Sequence, residues 1–141
     1  QGLLRGALQD ASVEAQAVSL NEAHGTGTAL GDPIEAGSLA AAVVAKQQPG
    51  DTLVCGGIKA NLGHGESTAG VSGLLRLAVG VSSGEAPPNA QLHALNPHVD
   101  LPGWPVLCPD TVTTLNAQAT FAGVSAFGFG GTNGTLVMKK V

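Results

Sequence analysis

The sequence predicts an α/β fold, a mixed sheet with helices on its faces. Three observations predict it. A short strand, a glycine-rich loop and an Ala-rich helix follow one another twice within the first 84 residues. The run Thr52 to Ile58 is almost continuously apolar, as a strand buried on both faces requires. Residues 119 to 141 read as two strands joined by Gly128-Phe129-Gly130-Gly131, and a hairpin is the simplest link between them.

The elements follow in order. Gln1 to Glu14 carries Leu3, Leu4, Ala7, Leu8, Ala11 and Val13, broadly a helical stripe. Val18 to Ala23 reads as a strand. Asp32-Pro33 starts a helix, with Asp32 as N-cap, Pro33 at the first helical position and Glu35 in the first turn. That helix is expected to run to about Lys46 and to close at Pro49-Gly50. After the Thr52 to Ile58 strand, Ser67 or Thr68 can cap a helix through Leu74, Leu75, Leu77 and Val81, ending near Gly84. Pro87 to Gly103 reads as an irregular connection, and Val106 to Leu107 as a short strand. Ala119 to Phe127 and Thr135 to Val141 complete the sheet, antiparallel to each other.

Bulk properties narrow the function classes. A length of 141 residues fits one domain with one core. Hydrophobic residues make up 43% and charged residues 11%, a globular balance. The net charge of -4 and an aromatic content of 3% offer nothing to nucleic acid or to an anionic membrane. No apolar run reaches the roughly 18 residues of a membrane span, and no signal peptide is visible. The expected location is cytoplasmic, or a plastid in a photosynthetic eukaryote. The start at Gln1 suggests a fragment. Cys55 and Cys108 lack metal or disulfide spacing and read as reduced, buried, Val-sized side chains.

The chemistry lies in the two loops. His24 sits in Glu-Ala-His-Gly-Thr-Gly-Thr (22 to 28) and His64 in Gly-Ile-Lys-Ala-Asn-Leu-Gly-His-Gly-Glu-Ser-Thr-Ala-Gly (57 to 70). Matching turns can bring two imidazoles to one small polar site. Imidazole N–H groups there can donate to a developing enolate or alkoxide oxygen. Lys59 and Glu66 can hold protonation and orientation around His64. Two rivals are weaker. Gly25, Gly27 and Gly31 form GxGxxxG, one residue longer than the dinucleotide fingerprint, and the next strand lacks the acidic ribose ligand. His24, His64, His93 and His98 have no metal-ligand spacing, so no metal is expected.

Five segments resemble the C-terminal half of a β-ketoacyl synthase, in the family's order and over most of the chain. They are 22 to 36, Gly-Ile-Lys-Ala-Asn-Leu-Gly-His (57 to 64), Pro-Pro-Asn (87 to 89), Leu-Asn-Pro-His-Val-Asp (95 to 100) and Val-Ser-Ala-Phe-Gly-Phe-Gly-Gly-Thr-Asn (124 to 133). The resemblance implies half of a thiolase-like fold, with residues 1 to 141 as its C-terminal domain. It also implies a decarboxylative Claisen condensation between a cysteine-bound acyl chain and a malonyl-type thioester on an acyl carrier protein. No cofactor is bound in this reading. Phosphopantetheine arrives on the carrier protein, and the other partners are the chain's own N-terminal half and a second copy in a full-length homodimer.

The residue roles carry over by position. His24 and His64 would stabilise the enolate oxygen, and Lys59 would tune His64 through a network with Glu35 and Glu66. Thr26 and Thr28 would bind the pantetheine arm. The Phe129 N–H would form half of an oxyanion hole and its ring would gate access, with Gly128, Gly130 and Gly131 allowing the loop to move. Asp32 and Glu35 read more readily as loop-bracing residues than as proton shuttles.

The family's nucleophilic cysteine belongs to the N-terminal half. Cys55 and Cys108 do not sit at a strand-to-helix elbow and are not assigned that role. Asp-Pro-Ile-Glu-Ala points to polyketide systems, while Gly-Thr-Asn-Gly-Thr near the end looks more like discrete fatty acid enzymes. The alternative from another class is a non-catalytic partner of the same fold, structural or chain-length-determining.

Overall fold

A computed structural model describes residues 1–100, 103–116 and 121–140. The strands are β1 (Val18–Glu22), β2 (Leu53–Gly56), β3 (Glu85–Ala86), β4 (Val106–Leu107), β5 (Thr113–Thr114), β6 (Phe121–Phe127) and β7 (Asn133–Lys139). The helices are α1 (Gly2–Asp10), α2 (Gly31–Ala42), α3 (Lys59–Leu62) and α4 (Ala69–Ser83). A five-stranded mixed sheet forms the centre, in the order β4-β2-β1-β6-β7. β1 runs parallel to both β2 and β6, β2 runs parallel to β4, and β6–β7 is the expected antiparallel hairpin. The outer ends expected at residues 119, 120 and 141 lie outside the described residues.

Helices cover both faces. α1 and α2 close one core around Leu4, Leu8, Val18, Leu39 and Leu53. α4 closes the other around Leu20, Val54, Leu77, Val81 and Val124. The alternation Leu53/Val54 between these cores is the period-2 signature of a strand buried on both faces. A register irregularity between Val18 and Leu20 moves those two residues onto opposite faces. Glu22, two residues beyond Leu20, therefore faces α4.

Several boundaries differ from the expectation. α1 stops at Asp10, because Ser12 takes a positive φ of 54° and the Val13 N–H turns back to the Leu8 carbonyl at 2.9 Å. α2 begins at Gly31, so Asp32 is not its N-cap; the Thr28 hydroxyl accepts the Gly31 N–H at 3.1 Å instead. α2 ends at Ala42, and a 3-10 turn over Val44–Lys46 buries Val44. Neither Ser67 nor Thr68 caps α4 with its side chain; the Thr68 hydroxyl donates to the Gly65 carbonyl at 2.9 Å. The end at Gly84 is as expected, with a left-handed φ of 73° that glycine adopts without steric cost.

Two small features have no counterpart in the sequence pattern. α3 is a single turn after β2. β3 and β5 pair as a second, two-stranded sheet. Both are too short to leave a periodic signal. No helix among the described residues is long and apolar enough to cross a membrane.

The outer surface of α4 carries Val71, Leu75 and Val79, each about 60% exposed and spaced four residues apart. A stripe of that kind needs cover. Residues 1–141 produced alone are expected to self-associate, eluting on size exclusion well ahead of a monomer and shifting with concentration. A single concentration-independent monomer peak would contradict this.

Candidate active site

The C-terminal ends of β1, β2 and β6, three neighbouring parallel strands, supply the candidate site. The chain leaves β1 through α2 on one face and leaves β2 through α4 on the other. Such a switch opens a crevice at the strand ends. The His24 loop follows β1, Lys59 and His64 follow β2, and Phe127 ends β6. Side chains far apart in sequence thus reach one place.

The two imidazoles do converge. Their ring centroids lie 5.6 Å apart with planes at 89°. The Phe127 ring stands 5.6 Å from His24 at 66°. His24 is half-buried and His64 exposed. The Nδ1 atom of each ring is engaged. Lys59 Nζ lies 3.5 Å from His24 Nδ1, and the Glu66 backbone N–H donates to His64 Nδ1 at 3.2 Å. An Nδ1 that accepts a hydrogen bond leaves the proton on Nε2. Both rings are therefore set as Nε2–H donors.

Burial holds the His24 imidazole below its ordinary pKa, and the positive charge of Lys59 adds to this. Burial also lowers Lys59, against the pull of Glu22 and Glu35. The neutral, donating imidazole is thus the favoured form of His24. In Lys59→Met the nearby positive charge is gone, so the His24 pKa is expected to rise in an NMR titration. A value that does not move would show that Lys59 has no bearing on it.

Two expectations are corrected here. Lys59 contacts His24, not His64, because the α3 turn points it back toward the β1 loop. Glu66 forms no ion pair among the described residues; its exposed side chain leaves the bracing of His64 to its backbone. Phe129 is fully exposed at the tip of its turn, and a second aromatic ring, Phe127, packs against His24. Gly128 donates its N–H to the Thr132 carbonyl at 2.7 Å, closing that turn, and Gly130 is exposed beside it.

The loop-bracing reading of the acids agrees with the structure. Glu35 accepts the His24 and Gly25 N–H groups at 2.7 and 2.9 Å, and Asp32 accepts the Gly27 N–H at 3.1 Å. Burial raises the Glu35 pKa while those two N–H groups lower it. The Thr26 and Thr28 hydroxyls stand 3.4 Å apart. A cavity of about 560 Å³ runs past this loop, lined among others by Thr26, Lys59, His64, Asn89, Cys55 and Cys108. Its volume suits an extended small-molecule arm.

Two supporting groups escape a reading of the sequence. Glu22, only 1% exposed, forms an ion pair with Arg76 of α4 and accepts the Ile58 N–H at 2.6 Å. Arg76 also donates to the Pro87 carbonyl at 2.7 Å. A Cβ at Gly56 would overlap the guanidinium, so glycine there makes room for it. Asn89 accepts the Gly57 N–H at 2.8 Å and donates to the Cys55 and Pro109 carbonyls at 3.3 and 3.1 Å. Glu22 and Asn89 thus clamp the backbone just ahead of Lys59. A signal for the pair existed, since Arg76 is the only charged residue between Glu66 and Glu85. Its partner, 54 positions away, left none.

Comparison with known proteins identifies the family and agrees with the fold. Residues 1–93 match the family described as Beta-ketoacyl synthase, C-terminal domain. A phenolphthiocerol/phthiocerol polyketide synthase of Mycobacterium tuberculosis is 41% identical over 98% of the chain, which spans 8% of that protein. Erythronolide synthase EryA3 of Saccharopolyspora erythraea is 36% identical over 99% of the chain, here 4% of the relative's length. Among solved structures, ketosynthase twelve of the bacillaene polyketide synthase from Bacillus amyloliquefaciens superposes with a TM-score of 0.89 at 31% identity. The match covers 99% of this chain and 25% of that one.

Proposed function

We infer that this chain, which belongs to the β-ketoacyl synthase family as its C-terminal domain, supplies the enolate-stabilising half of a polyketide condensing site. The observation that carries this reading is the pair of imidazoles, edge to face at 5.6 Å, each with Nδ1 engaged and Nε2–H left to donate. The polyketide relatives favour that side of the choice left open by the motifs.

The chemistry follows from the donors. A malonyl-type thioester on an acyl carrier protein brings its carbonyl oxygen to the two Nε2–H groups. Its carboxylate leaves as CO2, and the electron pair from the broken C–C bond spreads onto that oxygen as an enolate. The α-carbon then attacks an acyl thioester held on a cysteine of the N-terminal half, expelling the thiolate. The product is a β-ketoacyl thioester two carbons longer. Fixed donors aimed at the oxygen lower the barrier because charge develops only in the transition state.

Lys59 acts as a positioning residue through His24. Thr26 lines the cavity, which supports a role in binding the phosphopantetheine arm that enters as part of the carrier-protein substrate. Thr28 shapes the same loop. The active assembly needs the N-terminal half and, in this reading, a second copy.

The test is made in the whole protein. His24→Ala and His64→Ala are each expected to form the acyl-cysteine at the normal rate and to lose condensation. Condensation near the wild-type rate in either variant would refute the assignment. A whole protein lacking a nucleophilic cysteine would favour the non-catalytic role instead.

A further inference from the structure

Cys55 and Cys108 are 53 positions apart in sequence but lie side by side in the fold. β2 and β4 run parallel with Leu53 opposite Val106 and Val54 opposite Leu107. One further step sets Cys55 opposite Cys108, on the sheet face of Leu53 and Val106. Lateral neighbours in a sheet lie about 4.8 Å apart, inside the Cα range of about 4.4–6.8 Å that a disulfide spans. Both side chains are part-exposed, both are free thiols, and both line the cavity beside Lys59 and His64. The Asn89 amide grips the carbonyls of Cys55 and Pro109, and so holds the two strand ends together. Asn21 Nδ2 stands 3.7 Å from Cys55 Sγ.

We propose that Cys55 and Cys108 are a redox-sensitive thiol pair in the wall of the site, which closes to a disulfide by exchange with a small-molecule disulfide. This exchange is independent of the condensation reaction.

The two thiols have different roles. Cys55 donates a hydrogen bond that holds Cys108 down to about 7, while the same contact and burial push Cys55 well up. Cys108 is therefore the attacking thiolate. It attacks one sulfur of oxidised glutathione, forming a mixed disulfide and releasing one glutathione thiolate. Cys55 then gives up its proton and attacks the Cys108 sulfur, releasing the second glutathione. Two electrons pass from the protein thiols to the oxidant, and β2 becomes tied to β4.

The whole protein is treated with oxidised glutathione, its remaining thiols are alkylated, and it is digested with trypsin without reduction. Cleavage after Lys46, Lys59, Arg76 and Lys139 places Cys55 in peptide 47–59 and Cys108 in peptide 77–139. The expected product is these two peptides cross-linked, released by dithiothreitol. In Cys55→Ala, Cys108 is expected to keep a glutathione adduct, and its alkylation midpoint is expected to move up from about pH 7. Separate glutathione adducts on both wild-type cysteines, alkylation of both, or a bond from Cys108 to another cysteine would overturn the proposal. So would an alkylation midpoint that Cys55→Ala leaves unchanged.

Discussion

Arg76→Ala is expected to destabilise the domain that carries this chain by about 3–5 kcal/mol, the usual effect of removing one partner from a buried ion pair. Glu22 is 1% exposed and Arg76 7%, so water cannot take the place of the lost charge. Glu22 would then keep the Ile58 N–H and the attraction of Lys59. Burial already raises the Glu22 pKa, with Arg76 opposing it. Without Arg76 the folded pKa rises further above the unfolded value. A raised carboxyl pKa favours the folded state below the unfolded pKa, and that advantage fades as pH rises through the folded pKa. The defect should therefore be larger at pH 7.5 than at pH 5. The same loss would loosen the turn at Ile58 and with it Lys59.

A second substitution separates charge from shape. Arg76 Nε has no hydrogen-bond partner among the described residues, so the ion pair is incompletely compensated. Glu22→Leu combined with Arg76→Met should unfold at a higher temperature than either single variant. A double variant less stable than both singles, or Arg76→Ala with wild-type stability, would show that the pair does not brace the fold.

His24→Ala and His64→Ala are each expected to lower the condensation rate by about 10²–10³-fold, the effect of removing one oxyanion donor. The double variant is expected to lose little beyond the worse single one. Two donors on one oxygen act as a unit, and losing either misplaces the charge for the other. Full multiplication of the two losses would mean that the rings serve separate steps. An acid limb that arises from His24 should lie below the ordinary histidine range, because its protonation is disfavoured by burial and by Lys59.

Much of the architecture is legible because its causes are local. The strand-loop-helix repeats, the Gly84 stop and the Gly128–Gly131 hairpin each rest on spacing or on one residue's backbone freedom. The two histidine loops are legible for the same reason. Boundaries are less so. Ser12 ends a helix that its apolar pattern would have continued, and a threonine hydroxyl displaces Asp32 from its expected cap.

The sequence by itself determined the fold class, the family and the two loops that carry His24 and His64. Those depend on short-range periodicity and on long contiguous motifs. Only the tertiary structure decided which side chains meet. Lys59 and Phe127 lie against His24, Glu22 finds Arg76, and Cys55 neighbours Cys108. The physical reason is that strand order and register set these pairings. Neighbours across the sheet are remote in sequence, and their meeting leaves no mark on local pattern.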